Sequence, residues 1–167
     1  FFFHPHPAIP DSVASRGLGD VYKRQVIRSG ESYPYAMDMD ADGAHYMWVE
    51  KTDSVYVVEE DSGNLLGTYY IKPNQPTLGA HVANCGYVVA ERARGQGIGT
   101  MMGAHSQEQA VLLGYRAMQF NLVVNTNAVS HRVWNKLGFK EVGVLEGAFL
   151  HVTDGYVDAT VFYKVLE

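Results

Sequence analysis

The sequence predicts a mixed α/β fold, and three observations support that prediction. Segments with the two-residue alternation of strands lie among segments with the spacing of amphipathic helices. A long helical segment, 97–113, lies between the strand-like segments 81–89 and 116–124, as in a parallel crossover. The composition of Asp61–Asn64 is that of a hairpin turn, so antiparallel neighbours are expected in the same sheet.

The first half of the domain is predicted to hold one short helix and three strands. Apolar residues at helical spacing indicate the helix, and runs rich in Val and Tyr indicate the strands. The proline-containing stretch Pro73–Gly79 is predicted to be a loop. The predicted elements are a helix over 40–50 and strands over 54–60, 65–72 and 81–89.

The second half is predicted to alternate helix and strand before a final pair of strands. The long helix starts in a glycine-rich loop, and Gly114 is a natural stop at its C-terminus. The predicted elements are a helix over 97–113, a strand over 116–124, a helix over 127–137, and strands over 139–146 and 156–166.

Composition excludes several classes of function. The 167 residues, 47% of them hydrophobic, suffice for one globular domain with a sizeable core. The net charge of -5 argues against a nucleic-acid binder, which needs a basic face. No apolar run approaches the roughly 18 residues that a membrane-spanning helix needs, and the start lacks the basic leader of a signal peptide. Cys85 is the single cysteine, so no intrachain disulfide is expected and a reducing, cytoplasmic location is predicted.

Residues 1–25 differ from the rest of the chain because they show no sustained helical or strand period. The run Asp20–Gln25 resembles the translation of an adapter used in sequencing-library preparation. Residues 1–25 are therefore predicted to be a non-native segment, and the alternative is a natural disordered tail. The functional domain is expected to comprise residues 26–167.

A glycine-rich loop joins the strand at 81–89 to the start of the long helix. The first-turn N–H groups of a helix have no intrahelical partner and carry a positive partial charge, and glycines let an anion approach them. Arg92 and Arg94 add positive charge nearby. The loop therefore predicts a site for a di-anion such as a pyrophosphate. Its residues are Arg94, Gly95, Gln96, Gly97, Ile98, Gly99 and Thr100.

The loop does not have the spacing of two common nucleotide-binding motifs. The dinucleotide motif Gly-x-Gly-x-x-Gly fails because Gly95 and Gly97 are followed by Thr100. The phosphate loop Gly-x4-Gly-Lys-Ser/Thr is also absent. One alternative to an anion site is a glycine-rich turn that merely packs a helix on a strand.

Two motifs resemble those of the GNAT superfamily of N-acetyltransferases. Arg94, Gly97 and Gly99 match the pattern Arg/Gln-x-x-Gly-x-Gly/Ala, which binds acetyl-CoA in that superfamily. The segment Asn127–Phe139 resembles its second signature, Asn-x-x-(Ala/Ser)-x-x-(hydrophobic)-Tyr-x-x-x-Gly-Phe. Order and separation both fit, and the resemblance covers about residues 26–167.

The resemblance implies a twisted mixed sheet whose two central parallel strands splay apart. The pantetheine arm of acetyl-CoA would enter the gap and pair with the backbone of Tyr87, Val88 and Val89. Asn127 would bond the pantetheine, although it also fits a helix N-cap. The region 26–35 resembles the middle of the first helical region, so the family's first strand is expected to be missing.

Trp134 departs from the family pattern. Many relatives have a tyrosine there, whose phenol protonates the departing CoA thiolate, and an indole N–H cannot do this. Trp134 is therefore expected to be a core aromatic that contacts the cofactor. The acid would be a water, or no dedicated acid is needed because a thiolate is a fair leaving group.

Two asparagines on neighbouring strands are candidates for orienting the acceptor. Two amides that face one cleft can bind a carboxylate or an amine, and the resemblance to the branch that includes fungal proline-analogue acetyltransferases assigns this role to Asn84 and Asn121. The alternative is that both amides only satisfy backbone groups. The residues expected to share a face are Val82, Asn84, Gly86 and Val88 on one strand, and Gln119, Asn121, Val123 and Asn125 on the next.

The proton acceptor is not assigned by the sequence. No carboxylate lies in either strand stretch, so a water relay is expected. His81 is a weaker candidate, because a single histidine near a loop is more often incidental. Cys85 is expected to be buried rather than nucleophilic, because no Cys-His-Asn spacing adjoins it.

The resemblance implies direct transfer of an acetyl group from acetyl-CoA to the amine of a small acceptor, an amino acid being one option. The backbone near Val89 would polarise the thioester carbonyl. The expected partners are the amine and, as an option, a second copy of the chain in a homodimer; no metal, nucleic acid or membrane is expected. Two alternatives stay open, namely a non-catalytic CoA-binding module and a peptide or protein N-acetyltransferase.

Overall fold

The computed structural model describes residues 2–5, 33–34 and 39–166. These residues form one seven-stranded sheet with helices on it. The strands are β1 (Phe2–Pro5), β2 (Ser54–Glu59), β3 (Leu65–Pro73), β4 (Val82–Val89), β5 (Ala117–Val124), β6 (Lys140–His151) and β7 (Gly155–Val165). The helices are α1 (Ala41–His45), which continues as a π-helical turn over Tyr46–Glu50, α2 (Ile98–Leu112) and α3 (Ala128–Lys136).

The order of the strands in the sheet is β1-β2-β3-β4-β5-β7-β6. The pair β4–β5 is parallel, and the other neighbouring pairs are antiparallel. The parallel pair arises because α2 carries the chain from the end of β4 back to the start of β5, as a parallel connection requires. The mixed α/β fold is confirmed, and within the described residues no helix has the length and apolar character to cross a membrane.

Two hydrophobic clusters cover the two faces of the central strands. One cluster packs under α2 and α3 and includes Tyr69 and Met118, and the other packs under α1 and includes Tyr70 and Val88. Tyr69 and Tyr70 are sequence neighbours, so their separation follows from the alternation of side chains along β3. The buried positions of α2 recur at helical spacing: Ile98, Met102, Gly103, Ser106 and Ala110.

The strand β1 corrects one expectation. Phe2–Pro5 pairs antiparallel with β2, from Phe2 opposite Glu59 to Pro5 opposite Tyr56, so a first strand is present at this edge of the sheet. The Phe3 ring stacks on His105 of α2, with 3.8 Å between ring centroids. An extended apolar segment can pair here because β2 would otherwise expose unpaired backbone groups. The remainder of the segment 1–25, and the region 26–35 apart from Tyr33 and Pro34, lie outside the described residues.

Two further details differ from the predicted elements. Strand β6 continues to His151 rather than ending near residue 146, because it pairs with β7 as far as Gly155. In β5 the register against β7 shifts between Phe120 and Val123, which is the pattern of a β-bulge.

Candidate functional site

The strands β4 and β5 are joined only at their beginnings. Val82 pairs with Ala117 and Ala83 pairs with Met118. The next connection uses a side chain, since Asn84 Nδ2 donates to the carbonyl oxygen of Gln119 over 2.9 Å. Beyond it the two strands diverge, and the gap opens into a cavity of about 1060 Å³. The implied splay between the central parallel strands is therefore present.

The cavity brings together most of the residues selected from the sequence. It is bounded by β4, the glycine-rich loop, β5 and the start of α3. Gln96 is an exception, because it is exposed and its Nε2 donates to the carbonyl oxygen of Arg92 over 2.9 Å. The predicted residues that line the cavity are Asn84, Tyr87, Val88, Val89, Arg94, Gly95, Gly97, Ile98, Gly99, Thr100, Asn121, Asn127 and Trp134.

The glycine-rich loop leaves the N-terminus of α2 open. Gly97 is the N-cap residue, with φ +81° and no side-chain cap, and Gly95 has φ +78°. A Cβ at either position would meet nothing within 4 Å. Glycine is therefore required by the left-handed backbone rather than by packing, and the first-turn N–H groups of α2 stay accessible to an anion.

The two arginines near the loop have different roles. Arg94 lines the cavity, as does Arg132 of α3. Arg92 does not line it, since its guanidinium donates to the carbonyl oxygen of Leu65 over 2.6 Å. The fit to a diphosphate therefore rests on Arg94, Arg132 and open backbone amides.

The backbone of Tyr87 points into the gap between β4 and β5. Its N–H donates to the hydroxyl oxygen of Tyr33 over 2.7 Å, and the same hydroxyl donates to the Tyr87 carbonyl oxygen over 3.0 Å. One side chain thus makes the two bonds that a neighbouring strand would otherwise make with this residue. Tyr87 is therefore the point on β4 where an extended ligand could pair with backbone groups.

The aromatic floor of the cavity is well packed. Trp134 is 7% exposed, and its ring lies 4.9 Å from the Tyr87 ring and 4.4 Å from the Phe120 ring, centroid to centroid. The Tyr87 hydroxyl bonds Ser106 Oγ over 2.7 Å, and burial raises the pKa of this phenol well above its ordinary range. The Tyr87 hydroxyl is thus engaged with α2, and the indole N–H of Trp134 is a hydrogen-bond donor but not an acid at accessible pH.

Asn127 is the N-cap residue of α3, because its Oδ1 accepts from the Ser130 N–H over 3.1 Å. It also lines the cavity. The side chain therefore has a structural role that is compatible with a ligand contact, and both interpretations from the sequence stay open.

Three amides form a small network at β5 and the loop after β3, which we call the amide cluster: Asn74, Gln119 and Asn121. Gln119 Nε2 donates to Asn121 Oδ1 over 2.9 Å, and Asn121 Nδ2 donates to Asn74 Oδ1 over 2.7 Å. Asn121 lines the cavity, as does the neighbouring Asn84. Amides that are exposed and bonded mainly to one another can exchange these partners for a polar substrate.

The bulge in β5 changes one predicted face. Val123 packs in the same buried cluster as Phe120, so it does not share a face with Gln119 and Asn121. The expected set Gln119, Asn121, Val123 and Asn125 is therefore divided at the bulge, because an extra residue reverses the alternation of the side chains.

Cys85 and His81 are both unsuited to chemistry in the cavity. Cys85 is buried, and burial raises the pKa of its thiol to about 12, so it is not a nucleophile. His81 is exposed and bonds the carbonyl oxygen of Leu78 over 3.2 Å, away from the cavity lining. The described part of the chain contains no cluster of residues that would hold a metal ion.

Sequence reasoning missed Tyr33 and His151, which also line the cavity. His151 lies two residues before Thr153-Asp154 in a hairpin turn. The only signal for His151 in the sequence was its place just before an Asp-Gly turn. The position of its side chain at the cavity depends on how far β6 extends.

Comparison with known proteins agrees with this geometry. A sequence model of the "Acetyltransferase (GNAT) family" matches residues 22–139. The chain belongs to the GNAT family. The match begins at residue 22, inside the segment 1–25 that lacks a helical or strand period. Members of the family are acyltransferases that use acetyl-CoA.

Two curated relatives come from yeasts. The chain is 38% identical over 100 residues to "N-acetyltransferase aca1" of Schizosaccharomyces pombe, a match that covers 59% of this chain and 48% of that protein. It is 29% identical over 145 residues to "Protein SPT10" of Saccharomyces cerevisiae, which covers 78% of this chain and 23% of that protein. The chain thus spans about half, or less, of the length of these relatives.

Two solved structures support the fold. A GCN5-related N-acetyltransferase from Kribbella flavida superposes with a TM-score of 0.87 at 31% identity and covers 98% of both chains. A phosphinothricin acetyltransferase from Sinorhizobium meliloti, solved in complex with AcCoA, has a TM-score of 0.80 at 17% identity and covers 99% of this chain and 88% of that one.

Proposed function

We propose that this protein transfers the acetyl group of acetyl-CoA to the amine of a small acceptor by direct attack in a ternary complex. One observation carries the proposal: a single cavity combines the open N-terminus of α2 with the inward-facing backbone of Tyr87. The first feature suits a diphosphate, and the second suits an amide-containing arm or a thioester oxygen.

Different residues bind different parts of acetyl-CoA. The backbone amides at Gly97–Gly99 hold the diphosphate, with Arg94 and Arg132 completing its charge neutralisation. Asn127 bonds the pantetheine arm beside the cap of α3. The Tyr87 N–H polarises the thioester carbonyl after the Tyr33 hydroxyl leaves it, and this stabilises the negative charge that develops on oxygen during attack.

The acceptor lies on the side of the sheet that carries Asn84 and the amide cluster. These amides suit an amine that also carries a carboxylate, because each amide offers donors for the carboxylate and an acceptor for the amine. We therefore propose an amino acid as the acceptor class to test first. The name of the Schizosaccharomyces relative specifies N-acetylation, and the branch recognised in the sequence adds proline analogues.

The experiment combines binding and turnover. Calorimetric titration with CoA and with acetyl-CoA measures affinity, and a colorimetric thiol assay measures CoA release with the proteinogenic amino acids and with four-membered-ring and hydroxylated analogues of proline. The folded protein gives a low background in this assay, because burial raises the pKa of the Cys85 thiol to about 12.

Three outcomes separate the alternatives. Binding with amine-dependent thiol release supports the proposal. Binding without release for any acceptor, including short peptides, supports a non-catalytic CoA-binding module, and release with peptides alone supports a peptide N-acetyltransferase. Absence of CoA affinity contradicts the assignment of the loop itself. A homodimer and a cytoplasmic location remain predictions of the sequence.

A further inference from the structure

The hairpin between β6 and β7 places a histidine at the cavity. His151 is the last residue of β6 and is paired with Gly155 at the start of β7. Its side chain is 11% exposed, and it is one of the residues that line the cavity. No role in the reaction described above uses this side chain.

The turn that follows His151 holds one nitrogen of its ring. Nδ1 lies 3.1 Å from Thr153 Oγ1 and 3.5 Å from Asp154 Oδ2. The Thr153 hydroxyl donates to Asp154 Oδ1 over 2.8 Å, so Thr153 Oγ1 has a lone pair with which to accept from Nδ1–H. The Thr153 backbone N–H also points at Nδ1 over a longer 3.4 Å, a contact that suits the other tautomer. Because the Asp154 carboxylate and the shorter Thr153 Oγ1 contact both favour a proton on Nδ1, we expect the neutral ring to carry its proton there and to keep a lone pair on Nε2.

The strand register puts this ring on the acceptor face of the sheet. His151 pairs with Gly155, and Gln119 pairs with Tyr163, on the same strand β7. Gly155 and Tyr163 are an even number of residues apart, so their side-chain positions and those of their partners share a face. His151 therefore lies on the side of the sheet that carries the amide cluster.

The other titratable side chains around the cavity are poorer proton acceptors. Lysine and arginine side chains act as hydrogen-bond donors with no acceptor, and burial raises the pKa of the Cys85 thiol and of the Tyr87 phenol. No carboxylate is among the described residues that line the cavity. The titratable residues that line it, besides His151, are Tyr33, Tyr70, Lys72, Cys85, Tyr87, Arg94 and Arg132.

We propose that His151 is the general base of the acetyl transfer, directly or through one water, and that Thr153 and Asp154 are its positioning residues. The inference rests on the proposed function. The amine nitrogen attacks the carbonyl carbon of the thioester, its proton passes to His151 Nε2, and the carbon–sulfur bond breaks to give the acetamide and the CoA thiolate. The thiolate then takes one proton from solvent or from the imidazolium, so charge and atoms balance.

The kinetic test compares His151→Gln with His81→Gln. Glutamine keeps the size and polarity of the side chain but cannot accept a proton. We expect the kcat of His151→Gln to fall about 100-fold with the best acceptor of the panel, since general base catalysis typically contributes that much or more. The CoA affinity should stay within about twofold, because His151 makes no contact that the diphosphate requires.

The pH profile separates a base from a structural residue. The wild type and the His81→Gln control should lose kcat/KM on acidification, because a general base must be unprotonated to act, whereas the residual activity of His151→Gln should lack this limb. Asp154→Asn should lower kcat about tenfold while leaving the profile recognisable, because the base is then present but poorly oriented.

A spectroscopic test needs no turnover. Long-range ¹H–¹⁵N spectra of the free protein, labelled in histidine, report which ring nitrogen carries the proton, and His151→Gln assigns the resonance. We expect the Nδ1–H form in the wild type and a mixture of forms in Asp154→Asn.

Failure of the role proposed for His151 can be told apart from failure of the proposed acetyl transfer. If the wild type binds acetyl-CoA and acetylates an amine while His151→Gln matches its rate and pH profile, the inference is wrong and the function stands. A wild-type neutral ring protonated at Nε2 would also overturn it. If the wild type releases no thiol with any acceptor, the proposed function fails first.

Discussion

The two ends of the cavity are built in different ways. The end proposed to bind CoA, called the CoA end below, is made of backbone groups from one continuous stretch, in which Gly95 and Gly97 adopt left-handed φ angles and open the start of α2. The end proposed to hold the acceptor, called the acceptor end below, is made of side chains from β4, β5, the loop after β3 and the β6–β7 hairpin. A backbone site is encoded locally and leaves a motif, whereas a side-chain site depends on how distant strands are aligned.

Gly97→Glu should have the largest effect of these variants on CoA affinity, because it changes the backbone loop at the CoA end. It places a bulky, negatively charged side chain where the diphosphate is proposed to bind, and we expect CoA affinity to fall by about 100-fold or more, measured by calorimetry. Gly63→Glu is a matched control, since Gly63 has φ +82° and, like Gly97, open space around a new Cβ. Both variants should lose similar stability, about 1 kcal/mol; equal losses of CoA affinity would contradict the loop assignment.

Gly103→Ala tests the support behind the CoA end. A Cβ at Gly103 would lie 2.5 Å from Leu137 Cδ1 and 3.0 Å from Trp134 Cζ3, so the packed side chains of α3 would have to shift. We expect the free energy of unfolding to fall by about 1–3 kcal/mol in urea titrations. Gly143→Ala meets nothing within 4 Å and should change stability little. An unchanged midpoint for Gly103→Ala would show that this contact relaxes freely.

Asn121→Ala tests the acceptor end. Loss of this amide should raise the acceptor KM about tenfold and leave the affinity for CoA within about twofold, because it removes a substrate bond but no backbone group of the loop. Asn135→Ala is a control, since Asn135 is an exposed amide on α3 that bonds Glu141. A larger effect on CoA affinity than on the acceptor KM would remove Asn121 from the acceptor site.

Tyr33→Phe should have the smallest effect of these variants, and it should raise the affinity for CoA rather than lower it. The Tyr33 hydroxyl bonds both backbone groups of Tyr87, so it competes with the co-substrate for them. Removing it should tighten CoA binding about threefold, which is within the net contribution of one hydrogen bond. Tyr46→Phe, an exposed tyrosine beside Lys51, is the control. Weaker binding in Tyr33→Phe would mean that the hydroxyl assists the ligand instead.

Most helices and strands could be predicted because a few consecutive residues determine each of them. The helix 97–113 and its stop at Gly114 agree with α2, which ends at Leu112, because glycine fixes both ends through the backbone. Asn127 was recognised as a cap from its place before α3. The end of β6 was not predictable, since its final residues are strand only because β7 pairs with them.

The sequence by itself determined the alternating fold, the open helix N-terminus and the absence of a strand glutamate, because each depends on a few consecutive residues. Only the tertiary structure decided that Phe2–Pro5 adds a strand to β2, that the bulge turns Val123 away from Asn121, and that His151 joins the cavity. These features depend on register between segments far apart in the chain. A one-residue shift in register moves a side chain to the other face of the sheet, and no local pattern fixes that shift.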